Sequence, residues 1–149
     1  MKKVLIAVAF LAPLGVVAAP QSSTTEQKAN AAGNCLSYLT MFDRASFKEN
    51  ESHMKTLYSV YSNSIKNLLQ AESGREIKKS NVFSEVGIDL NDDFYMGYIL
   101  SSTIKENTDS IKDSINPAYS ATLNYAELKE QWSREARKRF SDSNCALIN

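Results

Sequence analysis

The stretch MKTLYSVYSNSIKNLL, residues 54–69, decides the fold. Met54, Leu57, Tyr58, Tyr61, Ile65, Leu68 and Leu69 recur at three- and four-residue steps. Residues so spaced share one side of an α-helix, whereas a half-buried strand alternates every second position. The spacing predicts a helix from about Glu51 to about Glu72. Asn50 or Ser52 would cap its start, and Gly74 would close it in a left-handed cap.

The same rhythm continues on both sides. Upstream, Ala32, Cys35, Leu36, Leu39 and Phe42 mark the face of a first helix. Ser23-x-x-Glu26 fits a capping box that would open it, and Gly33 weakens its first half. Downstream, a long helix is expected to start near Asn91, with Phe94, Gly97, Tyr98, Ile104, Ile111 and Ile115 along one stripe and Ile99 and Leu100 widening it. Asn116-Pro117 should end it, because proline disfavours helical geometry in the residue before it. Asn124-x-x-Glu127 forms another capping box. The last helix then carries Tyr125, Leu128, Trp132, Ala136 and Phe140, with Glu130–Arg134 and Glu135–Arg139 spaced to pair one turn apart.

Two segments are less regular. Arg75–Ile88 reads as a short helix stopped by Gly87, because a strand over Asn81–Val86 would have no partner. Pro117–Leu123 fits a loop or one extra turn. There is no internal repeat and no long Gly/Ser linker. The expected fold is therefore all-α: a single small helical bundle over residues 26–149, with four main helices plus one or two short ones burying their apolar stripes against each other.

The N-terminus carries an export pattern. Lys2 and Lys3 precede an almost wholly apolar run, Val4–Val17, followed by the small residues Ala18 and Ala19. A basic start, an apolar centre and a small-residue cleavage site make a secretory signal peptide. The expected cut follows Ala18, which makes residues 1–18 the signal and residues 19–25 a polar leader. The apolar run is shorter than the roughly 18–20 residues a spanning helix needs, which argues against an anchor. No later apolar stretch escapes interruption by Lys, Asp or Glu, so no membrane insertion is expected after cleavage. The expected location is periplasmic or secreted.

The two cysteines, Cys35 and Cys145, agree with export. In an oxidising compartment such a pair reads as one disulfide, stapling the first helix to the C-terminal tail. A redox-active pair usually takes the Cys-x-x-Cys form, which is absent.

Composition excludes several classes. The chain has 149 residues, enough for one domain with its own core. Its 17 Lys+Arg balance 17 Asp+Glu, without the basic excess of a nucleic-acid binder. Loss of Lys2 and Lys3 with the signal would make the remainder slightly acidic. One His and two distant Cys leave little material for a transition-metal site, and no cofactor is expected.

The candidate sites are few. Asp89-Leu-Asn-Asp-Asp93 matches positions 1, 3 and 5 of a calcium loop, but Phe94 stands where glycine is needed and Leu100 where glutamate is needed. Helix capping explains these residues better. His53 has no nucleophile motif beside it. No spacing promotes a pair of carboxylates for glycoside hydrolysis. Arg134, Arg137 and Lys138, with Arg139, form a compact basic run that can meet an acidic partner or lie solvated beside Glu127, Glu130 and Glu135. Tyr95 and Tyr98 flank Gly97, as either core residues or a binding surface. Gly97 costs the helix about 1 kcal/mol relative to alanine, and a close helix crossing, under Trp132, would account for it. The candidate partner surface is thus Tyr95, Tyr98, Arg134, Arg137 and Lys138.

The segment Phe94-Tyr95-Met96-Gly97-Tyr98-Ile99, with Cys35 upstream, resembles small helical periplasmic proteins, immunity proteins and acid-stress chaperones among them. The likeness covers only these residues, singles out no family and transfers no functional residue. The expected function is non-enzymatic: an exported protein-binding domain of the bacterial cell envelope, such as an immunity or inhibitor protein against an envelope-targeting toxin or hydrolase. The alternatives are a periplasmic chaperone or stress-response protein, and a small secreted hydrolase using carboxylates.

Overall fold

The computed structural model describes residues 24–79 and 82–149. The expected signal peptide and most of the expected leader, residues 1–23, lie outside them. The described chain is helical, with no strand among the described residues. Four long helices form the bundle: α1 (Thr25–Leu39), α3 (Glu51–Gln70), α6 (Asp92–Asp113) and α8 (Tyr125–Asp142). Short helices join them: α2 (Arg44–Glu49), α4 (Glu72–Lys79), α5 (Val82–Glu85) and α7 (Pro117–Ser120). A 3₁₀ turn, Cys145–Leu147, follows α8.

The helix α1 is the hub, packed against α3, α6 and α8. Its inner positions are small or apolar: Ala29, Ala32, Cys35, Leu36 and Leu39 are buried. The small residues let the neighbouring helix come close. A Cβ on Gly33 would stand 3.3 Å from the Tyr61 ring, so glycine here makes room for that ring. Tyr61 is fully buried and its hydroxyl donates to the Met96 carbonyl at 2.9 Å, linking α3 to α6. Burial, with a smaller contribution from Tyr58, pushes this phenol up to about 12. Leu57, Ile65 and Leu69 complete the inner face of α3.

The inner face of α6 differs from the expected stripe. Tyr95, Met96 and Ile111 are buried, whereas Phe94 and Tyr98 are exposed. The middle of the inner face is polar. Asn107 donates to Asn34 Oδ1 at 2.9 Å and to Ser37 Oγ at 2.8 Å, and these bonds dock α6 on α1. A stripe drawn through apolar residues alone includes the buried Ile111 but takes in the outer aromatics Phe94 and Tyr98 and misses Asn107. Tyr58, placed on the core face by its spacing, is likewise about half exposed.

Cap positions shift slightly. The box that opens α1 is Thr24 with Gln27, rather than Ser23 with Glu26: the Gln27 amide N–H donates to Thr24 Oγ1, and the Thr24 N–H donates to the Gln27 side chain. Asn50 precedes α3, but its side chain donates to the Ser46 carbonyl instead of capping. Gly74 is not the cap of α3. That helix ends at Ala71 in extended backbone, and Gly74 lies within α4. A Cβ there would run into the Leu68 carbonyl oxygen and stand 2.5 Å from Leu69 Cα, so the glycine permits α4 to fold back on the end of α3. Gly87 closes α5 with φ +78, a conformation glycine adopts without strain.

The C-terminal helix is fixed by three kinds of contact. The Cys35–Cys145 disulfide joins residues 110 apart, with both cysteines buried and Cα atoms 5.6 Å apart. Asn144, in left-handed backbone with φ 51, turns the chain after α8 to bring Cys145 inward; asparagine tolerates that region better than most residues. Phe140 meets Phe42 edge-on at 5.5 Å. Arg139 reaches α6, donating to Ser110 Oγ at 2.8 Å.

Candidate functional site

The concave features fall on two sides of the bundle. On one, the turn after α1 faces α8 across a cleft of about 620 Å³. Asp43 sits at its centre as the N-cap of α2. Its carboxylate accepts from the Ser46 N–H at 2.9 Å, from Ser46 Oγ at 2.8 Å and from Ser133 Oγ at 3.2 Å, and it pairs with Arg137. The Asp43 N–H in turn donates to Ser133 Oγ at 2.8 Å. These bonds, the Ser46 backbone N–H foremost, hold the Asp43 carboxyl down at about 2. The Asp43 Oδ1 thus serves the α2 cap, while Oδ2 and the two serine hydroxyls join α8 to α2.

On the other side, a groove of about 290 Å³ runs between α3 and α6. Leu36 and Leu39 of α1 form its floor. Met54 and Tyr58 line the α3 wall, and Leu100 and Ile104 the α6 wall. Phe47 of α2 closes one end. Through Tyr58 and Leu100 the groove runs into a second hollow, lined also by Gly97, Ser62 and Met96. Lys66 and Asp93, 3.5 Å apart, stand at that hollow. The exposed lining of the groove is almost wholly carbon, although Thr40 and Lys55 also border it, and such a surface suits contact with apolar groups.

The predicted partner residues are not brought together. Tyr95 is buried, 6% exposed, and its hydroxyl donates to the Lys78 carbonyl at 3.3 Å; it offers no surface. Tyr98 is 64% exposed on the outer side of α6. The basic residues lie elsewhere, on α8. Arg139 of that helix touches Ser110, about 18 Å along α6 from Tyr98 at 1.5 Å per residue. Arg134 pairs with Glu130 at 3.3 Å and Lys138 with Asp142 at 2.8 Å, while Arg137 belongs to the Asp43 centre. The basic run is therefore largely neutralised within the molecule.

Gly97 does not lie beneath a crossing helix. Among the described residues a Cβ there would meet nothing within 4 Å, Trp132 included. Lys112 of α6 sits over the Trp132 ring instead, 5.2 Å from its centre.

Other sequence candidates take structural roles. Asn91 caps α6, its Oδ1 accepting from the Phe94 N–H at 2.9 Å. Asp92 pairs with Lys78 and Asp93 with Lys66. His53 falls in the first turn of α3. Among the described residues no three His, Cys, Asp or Glu side chains converge to hold a metal. Phe47, Met54, Leu100 and Ile104 were not foreseen as site residues. The available signal was the lone Phe47 in the polar segment Arg44–Glu49, a helix that buries none of its residues.

Comparison with protein-family models, with curated proteins and with solved structures returned no match, so the reading of the site rests on its geometry.

Proposed function

We propose that this chain is an exported protein-binding domain of the bacterial cell envelope, an immunity or inhibitor protein that neutralises an envelope-targeting toxin or hydrolase. The observation that carries this reading is the open groove between α1, α3 and α6, which presents Phe47, Met54 and Tyr58 around an apolar floor. Half-exposed aromatic side chains and a partly buried methionine around an apolar floor are what a protein partner's anchor residue needs. Export is supported by the N-terminal signal pattern and by a buried disulfide, which persists in an oxidising compartment. Among the described residues, no helix is long and apolar enough to cross a membrane.

A photo-crosslinking residue at position 55, which borders the groove and leaves Tyr58 in place, tests the reading in the chain expressed in its host. The expected product is a single folded envelope or secreted protein, captured in a defined ratio and lost when Met54→Asp puts a charge in the groove. Absence of any crosslinked product, or a product unaffected by Met54→Asp, would refute the groove as the binding site. The same groove would serve a periplasmic chaperone. That alternative predicts many unfolded clients in place of one folded partner.

A further inference from the structure

We propose that the cleft between the turn after α1 and helix α8 is a second binding site, one that takes an acidic peptide segment: a Glu or Asp side chain beside an apolar residue. The site is separate from the groove between α3 and α6, and it stands whether or not that groove holds a partner.

The first observation is charge. Asp43, Arg44, Lys129, Glu130 and Arg137 line the cleft. Both acids are held by arginines: Asp43 pairs with Arg137, and Glu130 with Arg134 one turn along α8. Those pairs account for the negative charge of the lining and leave Arg44 and Lys129. Among the described residues neither cation is paired with an acid. Arg44 is exposed at the start of α2 and Lys129 is exposed on α8, so they come from opposite walls. Arg44 and Lys129 also stand outside the basic run at 134–139 that the molecule largely neutralises within itself. A carboxylate entering the cleft therefore meets a cation on either wall, one of them a guanidinium that can bind it bidentately.

The second observation is rigidity. Lys129 stands 5.6 Å from the centre of the Tyr125 ring, which restrains the long side chain without cancelling its charge. Met41 and Phe42 supply the apolar part of the lining. Both pack against the core, and Phe42 is braced edge-on by Phe140. Between the walls, Asp43, Ser133 and Arg137 fix α8 to α2. The scaffold thus holds the cleft in shape, and a ligand entering it costs little in ordering the site.

The third observation is the mix of groups, which selects among anions. Asp43 and Glu130 put two carboxylates in the same lining, so a dense polyanion such as a phosphate chain would meet like charge there. A single carboxylate beside an apolar side chain meets the two cations and the surface of Met41 and Phe42. Arg134 bonds Glu130 at Oε1, and a carboxylate has further lone pairs with which to accept a peptide N–H. Carboxylate, apolar side chain and N–H donor occur together in an acidic peptide.

The test is titration of the disulfide-bonded chain with a blocked peptide, acetyl-Gly-Leu-Glu-Phe-Glu-Leu-Gly-amide, followed by backbone amide chemical shifts. The expected result is saturable shifts centred on residues 41–44 and 126–137, and none with the same peptide carrying Gln for Glu. Arg44 and Lys129 are exposed, so Arg44→Glu and Lys129→Glu should each fold normally by circular dichroism yet weaken binding by at least roughly tenfold. Lys105→Glu changes the net charge equally but lies on α6 outside the cleft, and should leave the affinity unchanged. Met54→Asp, in the groove, should also leave it unchanged. Absence of saturable binding, equal binding of the Gln peptide, indifference to Arg44→Glu and Lys129→Glu, or displacement of the peptide by an equal concentration of inorganic phosphate overturns the proposal. If the peptide binds as expected while position 55 captures no protein, the cleft stands and the reading of the groove fails. The opposite pair of results refutes the cleft alone.

Discussion

The two seams of this bundle use opposite chemistry. Between α2 and α8, the polar groups answer one another: Asp43, Ser46, Ser133 and Arg137 form a closed set, and the nearby disulfide makes the docking of the chain end covalent. Between α3 and α6, apolar side chains remain open, and the helices touch chiefly through the α1 floor they share. Groups satisfied within the molecule have little left to offer a partner, whereas half-exposed aromatics around an apolar floor gain when a partner removes them from water. The charged residues conspicuous in the sequence thus belong to the scaffold, and the functional reading moves to the less conspicuous face.

The largest test of this contrast is to cut the covalent tie. Replacing Cys35 and Cys145 together by serine should lower unfolding free energy by about 2–5 kcal/mol, since the closed loop is long. Urea denaturation would measure the loss. The destabilisation should concentrate in the α8 end, so amide exchange there should accelerate more than in α3. Equal acceleration throughout would mean that the two seams do not differ in how they are held.

A smaller effect is expected from the polar ties themselves. Ser133 is buried and both accepts the Asp43 N–H and donates to its carboxylate. Ser133→Ala removes both bonds and should cost about 1–2 kcal/mol, the scale for stranding a buried polar group. Tyr58→Ala, on the open seam, should change stability far less while abolishing capture of a partner. If Tyr58→Ala proved the more destabilising of the two, the groove would be part of the core and not a binding surface.

These contrasts also explain what was legible in the sequence. The four main helices and the Cys35–Cys145 pairing follow from periodicity and cysteine count, because both signals are local or arithmetic. The inner face of α6 was legible only in part, at Ile111. Its side-chain hydrogen bonds to α1 run through Asn107, while its apolar outer residues Phe94 and Tyr98 are exposed. Two tyrosines one turn apart on α3 show the same limit. Tyr61 is buried because Gly33 opens space for its ring, and Tyr58 has no such neighbour. That distinction is tertiary and leaves no trace in spacing. The groove is assembled from four separate helices, one of them the short α2, which carries no long apolar stripe and was not predicted.

Gly97 allows a test of opposite sign. Gly97→Ala should stabilise the chain by about 0.5–1 kcal/mol, the helix-propensity difference, because the new methyl meets nothing among the described residues. A loss of stability would mean that the α6 surface is already covered within the monomer, and the open seam would not exist. The corresponding change at Gly74 should be strongly destabilising, since backbone atoms of Leu68 and Leu69 occupy the space.

The smallest effect concerns pH and separates the seams by their chemistry. The Asp43 carboxyl is held at about 2 in the folded chain, against an ordinary value of 3.8, chiefly by the Ser46 N–H. A carboxyl depressed by folding contributes stability that is full above its unfolded value and is lost as pH falls from about 4 towards 2. The contribution is exposed and modest, so the expected signature is a steeper acid loss in the wild type than in Asp43→Asn, seen by urea titration at several pH values. The two should converge below pH 2. Groove variants such as Tyr58→Ala should run parallel to the wild type across the same range, because no carboxylate lines that groove. A groove variant that altered the acid slope would show that the two sides of the bundle are energetically coupled, and the separation of scaffold from binding face would have to be abandoned.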